Sequence, residues 1–103
     1  MPERYKVFVY PPAHARLDSH VEFLARVSES AADRLYDEYA DSLEFIAASP
    51  TACPPYMLPQ KIDAELRYKL FGKRYRIVFE VAGHEIYVYD IQDCRQDFDN
   101  YLV

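Results

Sequence analysis

The stretch "ELRYKLFGKRYRIVFEVAGHEIYVYDI", residues 65–91, decides the fold. It contains three runs, Glu65–Phe71, Arg74–Val81 and Glu85–Ile91, in which side-chain character changes at nearly every residue. That period of two is the signature of strands. "GK" at 72–73 and "AG" at 82–83 separate the runs at the spacing of tight turns, which predicts an antiparallel meander. Within the first strand, Leu66, Tyr68 and Leu70 point one way and Arg67, Lys69 and Phe71 the other. In the second, Tyr75, Ile77, Phe79 and Val81 form an apolar side, opposite Arg74, Arg76, Val78 and Glu80. In the third, Ile86 and Val88 are expected inward, with Tyr87 and Tyr89 on the other side.

Upstream, "YKVFVY" (5–10) alternates in the same way and predicts a first strand, ended by Pro11-Pro12. Pro suits the first turn of a helix, and Leu17, Val21, Leu24 and Val27 follow at helical spacing. Ser30 with Asp33 reads as an N-cap, after which Ala32, Leu35, Tyr39, Leu43 and Ile46 define a second helix ending near Pro50. The short connection between them predicts an antiparallel helical hairpin. "SPTACPPYMLP" (49–59) holds four of the seven prolines and is expected to be an irregular crossing loop. The order β-α-α-β-β-β predicts an α+β fold, with the hairpin packed on one face of a small sheet in a single domain spanning 1–103.

Charge is concentrated. The chain is net -5, yet residues 61–76 hold six of its twelve Lys and Arg (Lys61, Arg67, Lys69, Lys73, Arg74 and Arg76) against Asp63 and Glu65. If the hairpin covers the apolar side of the meander, Arg67, Lys69, Arg74 and Arg76 are expected to crowd on the uncovered side, with Tyr87 and Tyr89 beside them. Such a cluster predicts a phosphate-bearing or acidic partner; the alternative is that it only keeps an open sheet face soluble.

The same segment followed by "CRQDFDNYL" resembles the RelE/ParE superfamily of bacterial toxins. The shared features are a Leu-Arg strand, a Tyr-Arg-hydrophobic strand, a further hydrophobic strand, and an Arg before an aromatic and acidic tail. The resemblance implies the toxin half of a type II toxin–antitoxin module of the plasmid-stabilisation kind, acting in the cytoplasm and silenced by a cognate antitoxin. Two mechanisms are implied. RelE-like members cleave mRNA on the ribosome without metal, which would assign catalysis to Arg67, Lys69, Arg76, Arg95 and Tyr101. ParE-like members inhibit DNA gyrase and perform no chemistry, and the ending "CRQDFDNYL" resembles theirs. Apart from any catalysis, Lys73, Arg74, Tyr87 and Tyr89 are expected to be binding residues. A third reading keeps the fold as a non-toxic binding module.

Other residues carry less. "MPERYKVFVY" predicts neither a secretory signal nor a membrane span. Cys53 and Cys94 are expected to be passive reduced thiols. Asp90, Asp93, Asp97 and Asp99 follow no metal-ligand spacing, and His14, His20 and His84 are expected to be exposed and idle. No metal or cofactor is predicted. Tyr56, Met57 and Leu58 either plug the core or anchor a partner, and the first and last strands are expected to offer edges for strand addition.

Overall fold

The structure is a computed structural model that describes residues 4–59 and 63–94. The order is the expected one: β1 (Lys6–Val9), α1 (Pro11–Ala25), α2 (Glu29–Ala48), a short 3₁₀ turn (Pro50–Ala52), β2 (Glu65–Phe71), β3 (Tyr75–Ala82) and β4 (Glu85–Asp93). The strands form one sheet in the order β1-β4-β3-β2, with β1 parallel to β4 and the other pairs antiparallel. The first strand is an edge as expected, but the last strand is interior, and the other edge is β2.

Local chemistry explains the helix ends. Pro11 and Pro12 occupy the first turn of α1, where a missing N–H costs nothing and the ring presets φ. The cap of α2 is Ser28, not Ser30: its hydroxyl accepts from Ala31 N at 3.2 Å. With the cap two residues earlier, Val27 falls in the interhelix turn, where it is 79% exposed instead of extending the buried stripe of α1. The Tyr36 hydroxyl donates to Asp18 at 2.7 Å and ties the two helices together on their outer side.

Both helices lie on the same side of the sheet, α1 over β4 and α2 over β2. Between them, Leu17, Ile46, Ile77, Phe79, Ile86, Val88 and Ile91 are fully enclosed. Each such side chain contributes roughly 1.5–3 kcal/mol relative to exposure, so this layer dominates stability. Ile86 and Val88 point inward as their alternation predicted, and Val7 and Val9 of β1 join them in register.

The meander departs from expectation at its first turn. Phe71 pairs with Tyr75, so Gly72, Lys73 and Arg74 all belong to the loop. In an antiparallel ladder, residues directly opposite share a face. A two-residue turn at 72–73 would have set Leu70 opposite Tyr75; the longer loop shifts the pairing by one and sends every β2 side chain to the other side. Phe71 consequently enters the core, with ring centroids 5.8 Å from Tyr39 and 5.7 Å from Tyr75. Gly72 (φ 59°) and Lys73 (φ 69°) both adopt left-handed backbone.

Gly72 is held more tightly than Gly83, which also has positive φ. A Cβ on Gly72 would lie 2.8 Å from Leu35 Cδ1 and 3.2 Å from Tyr75, whereas one on Gly83 would meet nothing within 4 Å. Gly83→Ala is expected to cost ~1–2 kcal/mol from backbone strain alone. Gly72→Ala adds overpacking against α2 and should cost ~2–5 kcal/mol in urea unfolding, clearly more than its counterpart. The core also holds a buried hydroxyl, Tyr39 OH, without a hydrogen-bond partner among the described residues. Tyr39→Phe should leave the urea midpoint unchanged or raise it, because removing an unsatisfied buried polar atom relieves a desolvation cost of ~1–3 kcal/mol.

Candidate functional site

The one-residue shift at the β2–β3 loop divides the basic segment between the two sides of the sheet. Arg67 pairs with Phe79 and Lys69 with Ile77, both core residues, so these two cations emerge on the helix side at the β2 edge. Arg67 donates to Glu65 Oε2 at 2.7 Å and to the Cys53 carbonyl at 2.6 Å. Lys69 Nζ lies 5.1 Å from the ring centre of Phe45 on α2 and donates to the Leu70 carbonyl at 3.1 Å. The prolines upstream assist: Pro55 bridges to Arg67, Tyr56 N donates to Leu66 O, and Tyr68 N donates to Pro54 O. The crossing loop thereby covers the first half of the β2 edge.

Arg76 leaves on the opposite side, flanked in register by Leu70 and Gln92. Its guanidinium carbon lies 5.1 Å from the Tyr56 ring centre and 5.7 Å from that of Tyr68, so two aromatic rings attract it. Arg76 Nε donates to Gln92 Oε1, and Gln92 Nε2 donates to Tyr56 OH and to Asp90 Oδ2, each at 3.2 Å. Gln92 is only 4% exposed, so this is a fixed network and not a set of waving side chains. Neither periodicity nor charge pointed to Gln92; an amide near the end of an otherwise apolar strand was its only signal.

The remaining cations stand elsewhere. Arg74 belongs to the loop, where its guanidinium sits over Tyr75 at 5.2 Å and donates to the Tyr75 hydroxyl at 3.1 Å. Lys73 and Arg74, with Arg34 of α2, border a hollow of about 280 Å³ between the helical hairpin and this loop. The expected single patch of Arg67, Lys69, Arg74 and Arg76 is therefore corrected: it is three separate groups at the β2 edge, the loop and the open face. Lys61, Arg95 and Tyr101 lie outside the described residues, as do Asp97 and Asp99. Asp90 and Asp93 point to opposite sides of the sheet, paired with Val78 and Tyr75 respectively. Among the described residues no three His, Cys, Asp or Glu converge as a metal site would need.

The open face is aromatic where basic residues were expected. An irregularity between Val78 and Phe79 leaves Tyr89 without a register partner, which turns its ring outward. Tyr87 and Tyr89 do occupy the open face, but their neighbours are Phe8 of β1 and Tyr10 just beyond it. The Tyr87 hydroxyl donates to Glu85 at 2.7 Å and that of Tyr89 to Glu80; these bonds to carboxylates push both phenols above their ordinary value. Tyr56 packs beneath Arg76, Leu58 lines the adjoining hollow, and Met57 is 74% exposed. His20, expected to be idle, is half-buried: its Nε2 donates to the Ile91 carbonyl at 2.8 Å and its ring leans on Tyr75. Among the described residues no helix is long and apolar enough to cross a membrane.

Two helices on one side of a mixed four-stranded sheet, in β-α-α-β-β-β order, define the RelE/ParE-like α+β class. The sequence matches the family described as "ParE toxin of type II toxin-antitoxin system, parDE" over residues 7–98, and the chain belongs to that family. It is thus a toxin of a type II toxin–antitoxin pair, and the pairing implies a cognate antitoxin. No curated protein matches the sequence.

Both cysteines are free thiols. Burial pushes Cys53 and Cys94 up from the ordinary thiol value; Lys69 and Arg67 pull Cys53 the other way, and Arg76 does the same for Cys94, without reversing the shift. A native value raised above the unfolded one means that the protonated thiols favour the fold below pH ~8.5 and that this contribution is lost as pH rises beyond it. Iodoacetamide labelling at pH 7.5 is expected to be slow at both, to accelerate with pH, and to modify half-buried Cys94 before Cys53, which is 3% exposed. Equal rates at the two thiols at every pH would contradict this assignment.

Proposed function

We propose that this toxin inhibits DNA gyrase by binding it and carries out no chemistry of its own. The observation that carries this reading is the separation of the cations across the sheet. A metal-free nuclease needs a base, an acid and several cations converging on one phosphate, because its catalysis is positioning plus charge stabilisation. Arg67 and Lys69 serve the helix side, where a carboxylate, backbone carbonyls and an aromatic ring engage them. Arg76 serves the open side, engaged by Gln92 and two rings. A phosphate seated at Arg76 would have the sheet between it and the other two. Net charge supports the same reading, since a chain at -5 has no bulk field to draw it to ribosomal RNA.

Binding uses these features differently. Aromatic rings, a fixed amide–guanidinium network and a loop bearing Lys73 and Arg74 suit protein recognition, where aromatic and arginine anchors dominate affinity. The resemblance to ParE-like members points to gyrase. The purified toxin added to gyrase and relaxed plasmid is expected to suppress supercoiling and accumulate cleaved DNA in proportion to toxin. Unchanged gyrase activity at excess toxin, or cleavage of mRNA on programmed ribosomes, would overturn the proposal.

A further inference from the structure

The open face of the sheet carries an apolar hollow beside an aromatic strip, both edged by carboxylates. The hollow, about 320 Å³, is bordered by Tyr56, Leu58, Leu66, Val78 and Tyr89, with Glu80 and Asp90 at its margin. The strip consists of Phe8 of β1 and Tyr10 just beyond it with Tyr87 and Tyr89 of β4, at centroid distances of 5.5 Å (Phe8–Tyr87), 5.9 Å (Tyr10–Tyr87) and 5.0 Å (Tyr10–Tyr89). Phe8, Tyr10 and Tyr89 are 43%, 39% and 42% exposed, a large aromatic area for a sheet surface. Both helices pack on the other side, so among the described residues no helix or strand covers this one.

We propose that the open face is the docking surface for a protein segment presenting an aliphatic or aromatic side chain next to a lysine or arginine. The apolar side chain fills the hollow. The neighbouring cation lies over the tyrosine faces, within reach of Glu80 and Glu85, which accept from the Tyr89 and Tyr87 hydroxyls. Those phenols donate to the carboxylates, so the strip presents anionic acceptors and ring quadrupoles of the same sign preference. Positive groups near this side are Lys6, in register with Glu85; Arg76, between Tyr56 and Tyr68 and in register with Gln92; and Arg16 of α1, whose Nε lies 3.9 Å from Asp90 Oδ1. An acidic segment would meet Glu80 and Glu85 instead, and the whole-chain charge of -5 repels it during approach. The polarity is the reverse of what the crowded basic residues of 61–76 predict. The inference rests on this surface and not on the gyrase reading, so a failed supercoiling assay leaves it standing.

The test titrates the isotope-labelled full chain with two capped hexapeptides, one alternating leucine with lysine and the other leucine with glutamate, followed by amide chemical shifts. The lysine peptide is expected to shift the amides of Leu66, Val78, Tyr87 and Tyr89. The glutamate peptide should bind at least ~10-fold more weakly, as expected from combined cation–π and charge-pair contributions. The double variant Glu80→Gln, Glu85→Gln, with retained shift dispersion reporting an intact fold, should lose that preference. Equal affinities, preference for the glutamate peptide, shifts confined to Arg34 and Lys73, or no shifts at millimolar peptide would each overturn the proposal. So would shifts that follow protein concentration alone, which would identify a second copy of the chain as the occupant.

Discussion

The packing of Gly72 against Leu35 sets the side on which every β2 residue stands. The left-handed backbone of Gly72 and Lys73 makes the β2–β3 loop three residues long, and Leu35 leaves no room for a larger residue at its start. Phe71 then faces Tyr75 and both enter the core beneath α2. Because strand side chains alternate, one such constraint dictates the placement of Arg67, Lys69, Leu66 and Tyr68 together. Moving the pairing by one residue would bury Leu66, which now borders the open hollow, and the exposed Leu70, and would expose Phe71.

The two sides of the sheet thereby acquire different chemistry. The helix side takes the aliphatic layer and, at its rim, two cations already occupied by Glu65, backbone carbonyls and Phe45. The open side takes tyrosines, a buried amide network and carboxylates. A toxin that works by holding a macromolecule benefits from rigid aromatic area, because such side chains lose little conformational freedom on binding. The same surface is poorly arranged for phosphate chemistry, which needs cations converging from neighbouring positions.

The edges of the sheet are treated unequally. The irregular loop covers half of β2 through three contacts of Pro54, Pro55 and Tyr56, and so blunts an edge that would otherwise pair with other chains. At the other edge, β1 lies parallel to β4, which lengthens the aromatic strip by Phe8 and Tyr10. The strip is continuous only because a strand from the start of the chain lies beside one from its end.

Element identity was legible in the residues themselves. Period-two alternation located four strands, the spacing of Leu17, Leu35, Tyr39 and Ile46 located the helices, and Pro11-Pro12 marked where the first begins. The ParE-like ending and the Tyr-Arg strand likewise carried the family. These signals are local, since each depends on neighbours a few residues away. Which side Arg67 and Lys69 occupy, which strand β1 joins, and how Gln92 meets Arg76 and Tyr56 were settled only by tertiary contacts. Alternation specifies that successive side chains oppose one another but leaves the phase free. A loop's length and its packing against a distant helix fix that phase, and they depend on residues far apart in the chain.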